Sequence, residues 1–232
     1  MTDSPLPRTI LFDLYGTLVP GGSRLQRDAL AFQMAEVLGV DRIKFADIVH
    51  STFDARVRGA MGGLSETIAE LSRRVGGRPT CQQVTLAAEQ RLTLSRKLLS
   101  DTYSEHHLTN LKSRGYQLGI VTDCSVETPL SWNSTWLRDL VDVVVFSCEL
   151  GVRKPHPEMY LEATRRLNVQ PEECLFIGDG DSDELRGAYA LGMSTKMLVD
   201  PNLLGSDRRD DVIKWDGAVI NSVTELLDDS IE

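Results

Sequence analysis

The residues best suited to chemistry in this chain are acids placed at the ends of apolar runs. Ile10-Leu11-Phe12-Asp13-Leu14-Tyr15-Gly16-Thr17 sets a carboxylate behind a short hydrophobic stretch, with a glycine close after it. Leu175-Phe176-Ile177-Gly178-Asp179 repeats the arrangement, and Asp181, Asp183 and Glu184 follow within a few residues. Apolar runs of this length suit strands buried on both faces. In an open α/β sheet ligands gather beyond the carboxyl ends of the strands, so acids there face a crevice rather than the core. Helix capping and dipole compensation account for one or two of the acids after Ile177. They account poorly for the whole group, because carboxylates converging at about 4 Å repel by roughly 4 kcal/mol per pair at an effective dielectric near 20. Oxygen-rich clusters of this kind are what Mg²⁺ requires.

Two other positions join these acids. Gln117-Leu118-Gly119-Ile120-Val121-Thr122 is a third strand-like run, and it ends in a hydroxyl followed by Asp123. A hydroxyl there can donate to a phosphate or carboxylate oxygen; taken alone, it reads first as a strand-end side chain bonding its own backbone. Lys154 lies in Gly151-Val152-Arg153-Lys154-Pro155-His156-Pro157, where two prolines stiffen the loop and hold the lysine.

The elements that must position these groups follow from periodicity. After the first strand, Pro20-Gly21-Gly22-Ser23 is a cluster of breakers. Helical spacing then predicts Leu25 to Leu38, Ile43 to Val57, Leu64 to Val75 and Thr80 to Leu99. Beyond Leu99 the pattern alternates: helix Ser104 to Arg114, strand Gln117 to Thr122, strand Val141 to Phe146, helix Pro157 to Leu167 and strand Cys174 to Ile177. Leu185 to Leu191 reads as a helix, and Lys196 to Val199 and Ala218 to Ile220 as last short strands. Such alternation predicts an α/β protein with a Rossmann-like parallel-sheet core, interrupted after its first strand by a helical insertion. The expected division is core at residues 1–20 and 100–232, and insertion at 21–99.

Composition limits the function. With 232 residues, 41 % hydrophobic and 25 % charged, the chain can bury a full core. A net charge of -9 speaks against a nucleic-acid backbone binder, though not against a small phosphorylated substrate. Cys81, Cys124, Cys148 and Cys174 are scattered without a paired spacing and read as reduced thiols of a cytoplasmic protein. No run approaches the roughly 20 apolar residues of a membrane helix. Met1 to Pro7 and Asp228 to Glu232 read as tails. Arg56, Arg58 and His50 in the insertion could meet substrate but read first as solvated, and Trp132 and Trp136 read as packing groups rather than a stacking platform.

Together, Asp13-Leu14-Tyr15-Gly16-Thr17, Thr122, Lys154 and Gly178-Asp179 with Asp183/Glu184 resemble the four ordered motifs of the haloacid dehalogenase-like (HAD) hydrolase superfamily. The insertion falls where that superfamily places a helical cap. The resemblance implies that Asp13 is a nucleophile forming an aspartyl-enzyme intermediate, and that Thr122 and Lys154 hold the transferring group. It implies a Mg²⁺ seat made by Asp13, the backbone carbonyl of Tyr15, Asp179 and either Asp183 or Glu184; forward spacing favours Asp183, backward spacing Glu184. Gly16, Thr17 and Asp123, with Thr122 and Lys154, are the expected substrate contacts.

Tyr15 departs from the pattern of the superfamily's phosphatases, which carry at that position a second Asp serving as general acid and base. A phenol with an ordinary pKa near 10 can donate a proton but is a poor base at pH 7. Tyrosine there resembles the metal-independent 2-haloacid dehalogenases, whereas the acids after Ile177 do not. The leading expectation is therefore a Mg²⁺-dependent phosphatase of a small phosphorylated metabolite. The alternatives are a 2-haloacid dehalogenase and a catalytically weak phosphate-binding or regulatory protein.

Overall fold

The computed structural model describes residues 7–203 and 215–228. The two expected tails fall largely outside the described residues. A central sheet is built from β1 (Thr9–Phe12), β2 (Gln117–Thr122), β3 (Val143–Phe146), β4 (Cys174–Gly178), β5 (Ser194–Leu198) and β6 (Ala218–Ile220). Its order is β3-β2-β1-β4-β5-β6, with every neighbouring pair parallel. β1 lies between β2 and β4, pairing Phe12 with Ile120 on one side and with Ile177 on the other. The chain order changes direction at β1, and this opens a crevice beyond its carboxyl end.

Five helices separate β1 from the remainder of the core: α1 (Arg24–Leu38), α2 (Arg42–Ser51), α3 (Phe53–Val57), α4 (Leu64–Arg74) and α5 (Cys81–Leu99). The other helices are α6 (Glu105–Ser113), α7 (Glu127–Trp132), α8 (Ser147–Leu150), α9 (Pro157–Leu167), α10 (Glu184–Tyr189) and α11 (Glu225–Asp228). Alternate residues along β1 feed opposite faces of the sheet, as the pleat requires. Ile10 and Phe12 join Leu118, Ile120, Leu175 and Ile177, whereas Leu11 packs with Val121, Phe176, Met159 and Tyr160. The insertion buries an apolar cluster of its own around Met34, Phe45, Ile68 and Leu71.

Helix ends are set by local chemistry. Ser23 and Gln26 form a capping box at α1, Thr80 and Gln83 another at α5, and Gly39 closes α1 in the left-handed conformation. The helix expected from Ile43 to Val57 is instead broken between Ser51 and Phe53. The Thr52 hydroxyl turns back to the carbonyls of Ile48 (2.6 Å) and Val49 (3.3 Å), the local competition by which threonine interrupts helices. The short helices α7 and α8 were not anticipated from periodicity, being too brief to show it. The cysteines are free thiols, the Cys124 and Cys148 sulfurs meeting in a hydrogen bond at 4.0 Å rather than a disulfide. Trp132 packs edge-on against Phe146, and the Trp136 indole donates to the Asp101 carbonyl at 2.7 Å, so both serve packing. No helix among the described residues is long and apolar enough to cross a membrane.

Candidate active site

The ends of β1, β2 and β4 converge. Asp13 directly follows β1, its backbone N–H donating to the Ile177 carbonyl of β4 at 2.8 Å. One carboxylate oxygen accepts from the Thr17 hydroxyl at 3.2 Å, the other from the Lys154 ammonium. The same ammonium donates to Glu184, the first residue of α10. Lys154 is only 3 % exposed, so these contacts are made out of reach of bulk water. Its loop is held by Asp123: one oxygen accepts the Lys154 backbone N–H at 2.9 Å and the other the Arg153 guanidinium at 3.2 Å.

Two glycines make room for this meeting. Gly16 has φ +87°, and a Cβ there would stand 2.5 Å from the Asp179 carboxylate. A Cβ on Gly178 would strike the carboxylate of Glu184. Glu184 is fixed further by Gly180 N–H, which donates to it at 3.1 Å, and by the Tyr160 hydroxyl on its backbone carbonyl at 2.8 Å. Between Asp179 and Glu184 lies a short turn in which both Ser182 and Asp183 have positive φ.

Asp13, Asp179 and Glu184 each offer an oxygen, all within 4.8 Å of one another. The Lys154 ammonium faces three carboxylates in a buried setting, and burial first, then charge, sets the direction of their pKa shifts. Burial pushes Asp179 up to about 6, helped next by the charge of Asp13. Burial likewise raises Asp13 and Glu184, with Lys154 pulling the other way. Burial works against the Lys154 charge, yet Asp13, Glu184 and Asp123 together hold that lysine well above its ordinary value. A cluster of hard oxygens with surplus negative charge fits a divalent cation of the magnesium type.

These residues line part of a cavity of about 750 Å³ between the sheet ends and the helical insertion. A model of the haloacid dehalogenase-like hydrolases matches residues 7–192, a span that includes Asp13, Thr122, Lys154, Asp179 and Glu184. The chain belongs to that family. Among curated proteins it is similar to a glyceraldehyde 3-phosphate phosphatase of Methanopyrus kandleri, 38 % identical over 89 residues, covering 38 % of each chain. The match thus spans well under half of that phosphatase. It is also similar to a phosphoglycolate phosphatase of Salmonella typhi, 29 % identical over 80 % of this chain and 78 % of that one. Among solved structures, a HAD family enzyme from Bacteroides thetaiotaomicron, crystallised with magnesium and inorganic phosphate, superposes with a TM-score of 0.61. Identity there is 20 %, over 83 % of this chain and 93 % of the other, a likeness of fold.

Within the HAD frame the structure sorts the expected site residues. Asp13, Tyr15, Gly16, Asp123, Lys154, Asp179 and Glu184 line the cavity, whereas Thr17, Thr122 and Asp183 do not. Of the two acids left open by spacing, Glu184 meets Lys154, while the Asp183 side chain is 73 % exposed beside Arg186. Asp123, an expected substrate contact, spends both oxygens on the Lys154 loop, and Thr17 turns its hydroxyl to Asp13. Thr122 is buried at the end of β2, its hydroxyl without a partner among the described residues. The Tyr15 phenol is hydrogen-bonded with the Thr128 hydroxyl at 3.0 Å. Burial raises its pKa far above that of a free phenol, so it stays protonated at any working pH.

Arg56, expected to be solvated, is instead buried and lines the cavity. Its pKa is pushed down to about 9 by burial and then by the neighbouring charge of Arg91, with Glu127 opposing both. Arg91 and Glu127, paired at 2.8 Å, also line the cavity and were missed in the sequence. Neither stands in a motif, and a lone charged residue on a helix carries no local signal of burial. Arg58 and His50 pair with Asp54 and Asp28, at 3.0 and 2.6 Å.

Proposed function

We propose that this HAD hydrolase is a Mg²⁺-dependent phosphatase of a small phosphorylated metabolite, with Asp13 as nucleophile. The observation that carries this reading is the meeting of Asp13, Asp179, Glu184 and Lys154 at one mouth of the sheet. Asp13 attacks phosphorus while the bond from phosphorus to the ester oxygen breaks, giving an aspartyl-phosphate and an alkoxide that takes a proton from solvent; water then attacks phosphorus and gives up a proton to solvent, releasing phosphate and restoring the carboxylate. Lys154 holds Asp13 in place and offsets negative charge on the transferring group; the Thr122 hydroxyl, just outside the cavity lining and without a partner among the described residues, would turn to donate to one of its oxygens. Asp13, Asp179 and Glu184, with the Tyr15 carbonyl, would hold Mg²⁺, which would supply the charge compensation an anionic nucleophile needs to meet an anionic phosphate. Residues 21–99 act as the cap, supplying the cavity wall that limits water at the site.

The phosphatase names of the relatives support the reaction class, and the magnesium and phosphate in the B. thetaiotaomicron enzyme support the cofactor. The test is release of inorganic phosphate from a panel of metabolite monoesters, with Mg²⁺ and with EDTA. Turnover should need the metal and fall by about 10³-fold or more in Asp13→Asn. Tyr15 motivates a second reading, a 2-haloacid dehalogenase in which Asp13 attacks carbon. Halide release from L-2-chloropropionate in EDTA, with no phosphate released from any ester in Mg²⁺, would decide for it.

A further inference from the structure

The part of the cavity wall supplied by the insertion and α7 carries a charge imbalance of its own. Arg56, from α3, is 7 % exposed, and its two terminal nitrogens donate to neutral acceptors: the Ser125 hydroxyl at 2.9 Å and the Val49 carbonyl at 2.8 Å. Its Nε has no partner among the described residues. Arg91, from α5, donates to Glu127 at 2.8 Å and likewise leaves its Nε unpaired. Two buried guanidinium groups therefore share one carboxylate. The His50 ring on the same wall is taken by Asp28. A buried cation without a counter-charge is costly, and the ligand of the cavity is the natural source of one.

We propose that Arg56, reinforced by the charge of Arg91, seats a second anionic group on the substrate, a carboxylate or a second phosphate. The preferred substrates are then phosphate monoesters with an anionic tail rather than a neutral one. This rests on the phosphatase reading for the group that meets Asp13, but not for the tail. Ser125 links the two ends of the cavity: it accepts from Arg56 and lies three residues beyond Thr122, at the end of β2. The guanidinium is thus held at a set position relative to the acids, as selection between tails requires. A charged hydrogen bond made only with an anionic tail discriminates by about 10- to 100-fold.

The experiment compares 2-phosphoglycolate, propane-1,3-diol bisphosphate and ethyl phosphate as substrates in Mg²⁺. At least one anionic-tailed ester should exceed ethyl phosphate in kcat/KM by about 10-fold or more, and the better of the two identifies the tail as carboxylate or phosphate. Arg56→Ala should raise KM for that ester by about 10- to 100-fold with little change in kcat, and leave KM for ethyl phosphate within about twofold. Arg56→Lys should restore part of the loss. Equal use of all three esters, or an equal loss on all three in Arg56→Ala, overturns the inference, the second result marking Arg56 as structural. Calorimetric titration of Asp13→Asn with the same three compounds reads the tail without turnover. If the wild type cleaves none of them, the phosphatase reading fails while that order of binding still judges the subsite, and equal binding overturns it.

Discussion

Lys154→Met removes the ammonium that pairs with Asp13 and Glu184 while keeping an apolar stem of similar length. Lys154 is 3 % exposed and touches both Asp13 and Glu184, and Asp179 completes a set of carboxylates whose nearest oxygens lie within 4.8 Å. Removing one partner of a buried ion pair typically costs about 3–5 kcal/mol, because the other charge is left uncompensated. For a chain of this size that corresponds to a fall in Tm of about 6–20 °C at pH 7.5 in EDTA. The deficit should shrink toward pH 5: burial already raises all three acids, without the lysine they rise further, and the folded variant takes up protons that the unfolded chain does not. Mg²⁺ should restore more stability to the variant than it adds to the wild type, since no ammonium then competes for Asp13 and Glu184. Thermal unfolding with EDTA or Mg²⁺, at pH 5 and pH 7.5, measures all of this. A loss below about 1 kcal/mol at pH 7.5 in EDTA would refute the claim that Lys154 compensates buried charge.

Three further outcomes are expected. Thr122→Val should leave the unfolding free energy within about 1 kcal/mol of wild type, because the hydroxyl has no partner among the described residues to lose, yet lower kcat on a phosphate ester by about 10-fold or more; unchanged kcat would remove Thr122 from the reaction. Asp179, held at about 6 by burial and by Asp13, should couple metal binding to pH. Its raised pKa means that the metal-free protein loses stability as pH climbs from about 4 to about 6, while Mg²⁺ raises Tm more at pH 7.5 than at pH 5; equal increments at the two pH values would exclude Asp179 from the metal seat. Gly16→Ala combines a positive φ with a clash against Asp179, so it should cost about 1 kcal/mol or more and weaken Mg²⁺ stabilisation; a variant with wild-type Tm in both EDTA and Mg²⁺ would show that the close approach is dispensable.

The sequence by itself determined the sheet and the pieces of chain that end at its mouth. Apolar runs closing on Asp13, Thr122 and Gly178-Asp179 are local signals, and each became a parallel strand with its polar group at the expected end. The helical character of the stretch between β1 and β2 was equally legible, since long amphipathic repeats do not fit a strand. Tertiary structure decided the partners. Asp183 and Glu184 differ by one residue, and only the positive φ of Ser182 and Asp183 turns the first toward solvent and the second toward Lys154. Asp123 was legible as a polar strand-end residue, but its use by the Lys154 loop required a contact across 31 positions of sequence. Arg56 and Arg58 look alike on paper, yet one is buried against the cavity and the other paired in solvent, because residues two apart on a helical turn face opposite sides and tertiary packing chooses which side is covered. Strand ends are written in nearest neighbours; burial of a charge depends on what distant chain brings to it, and periodicity carries no record of that.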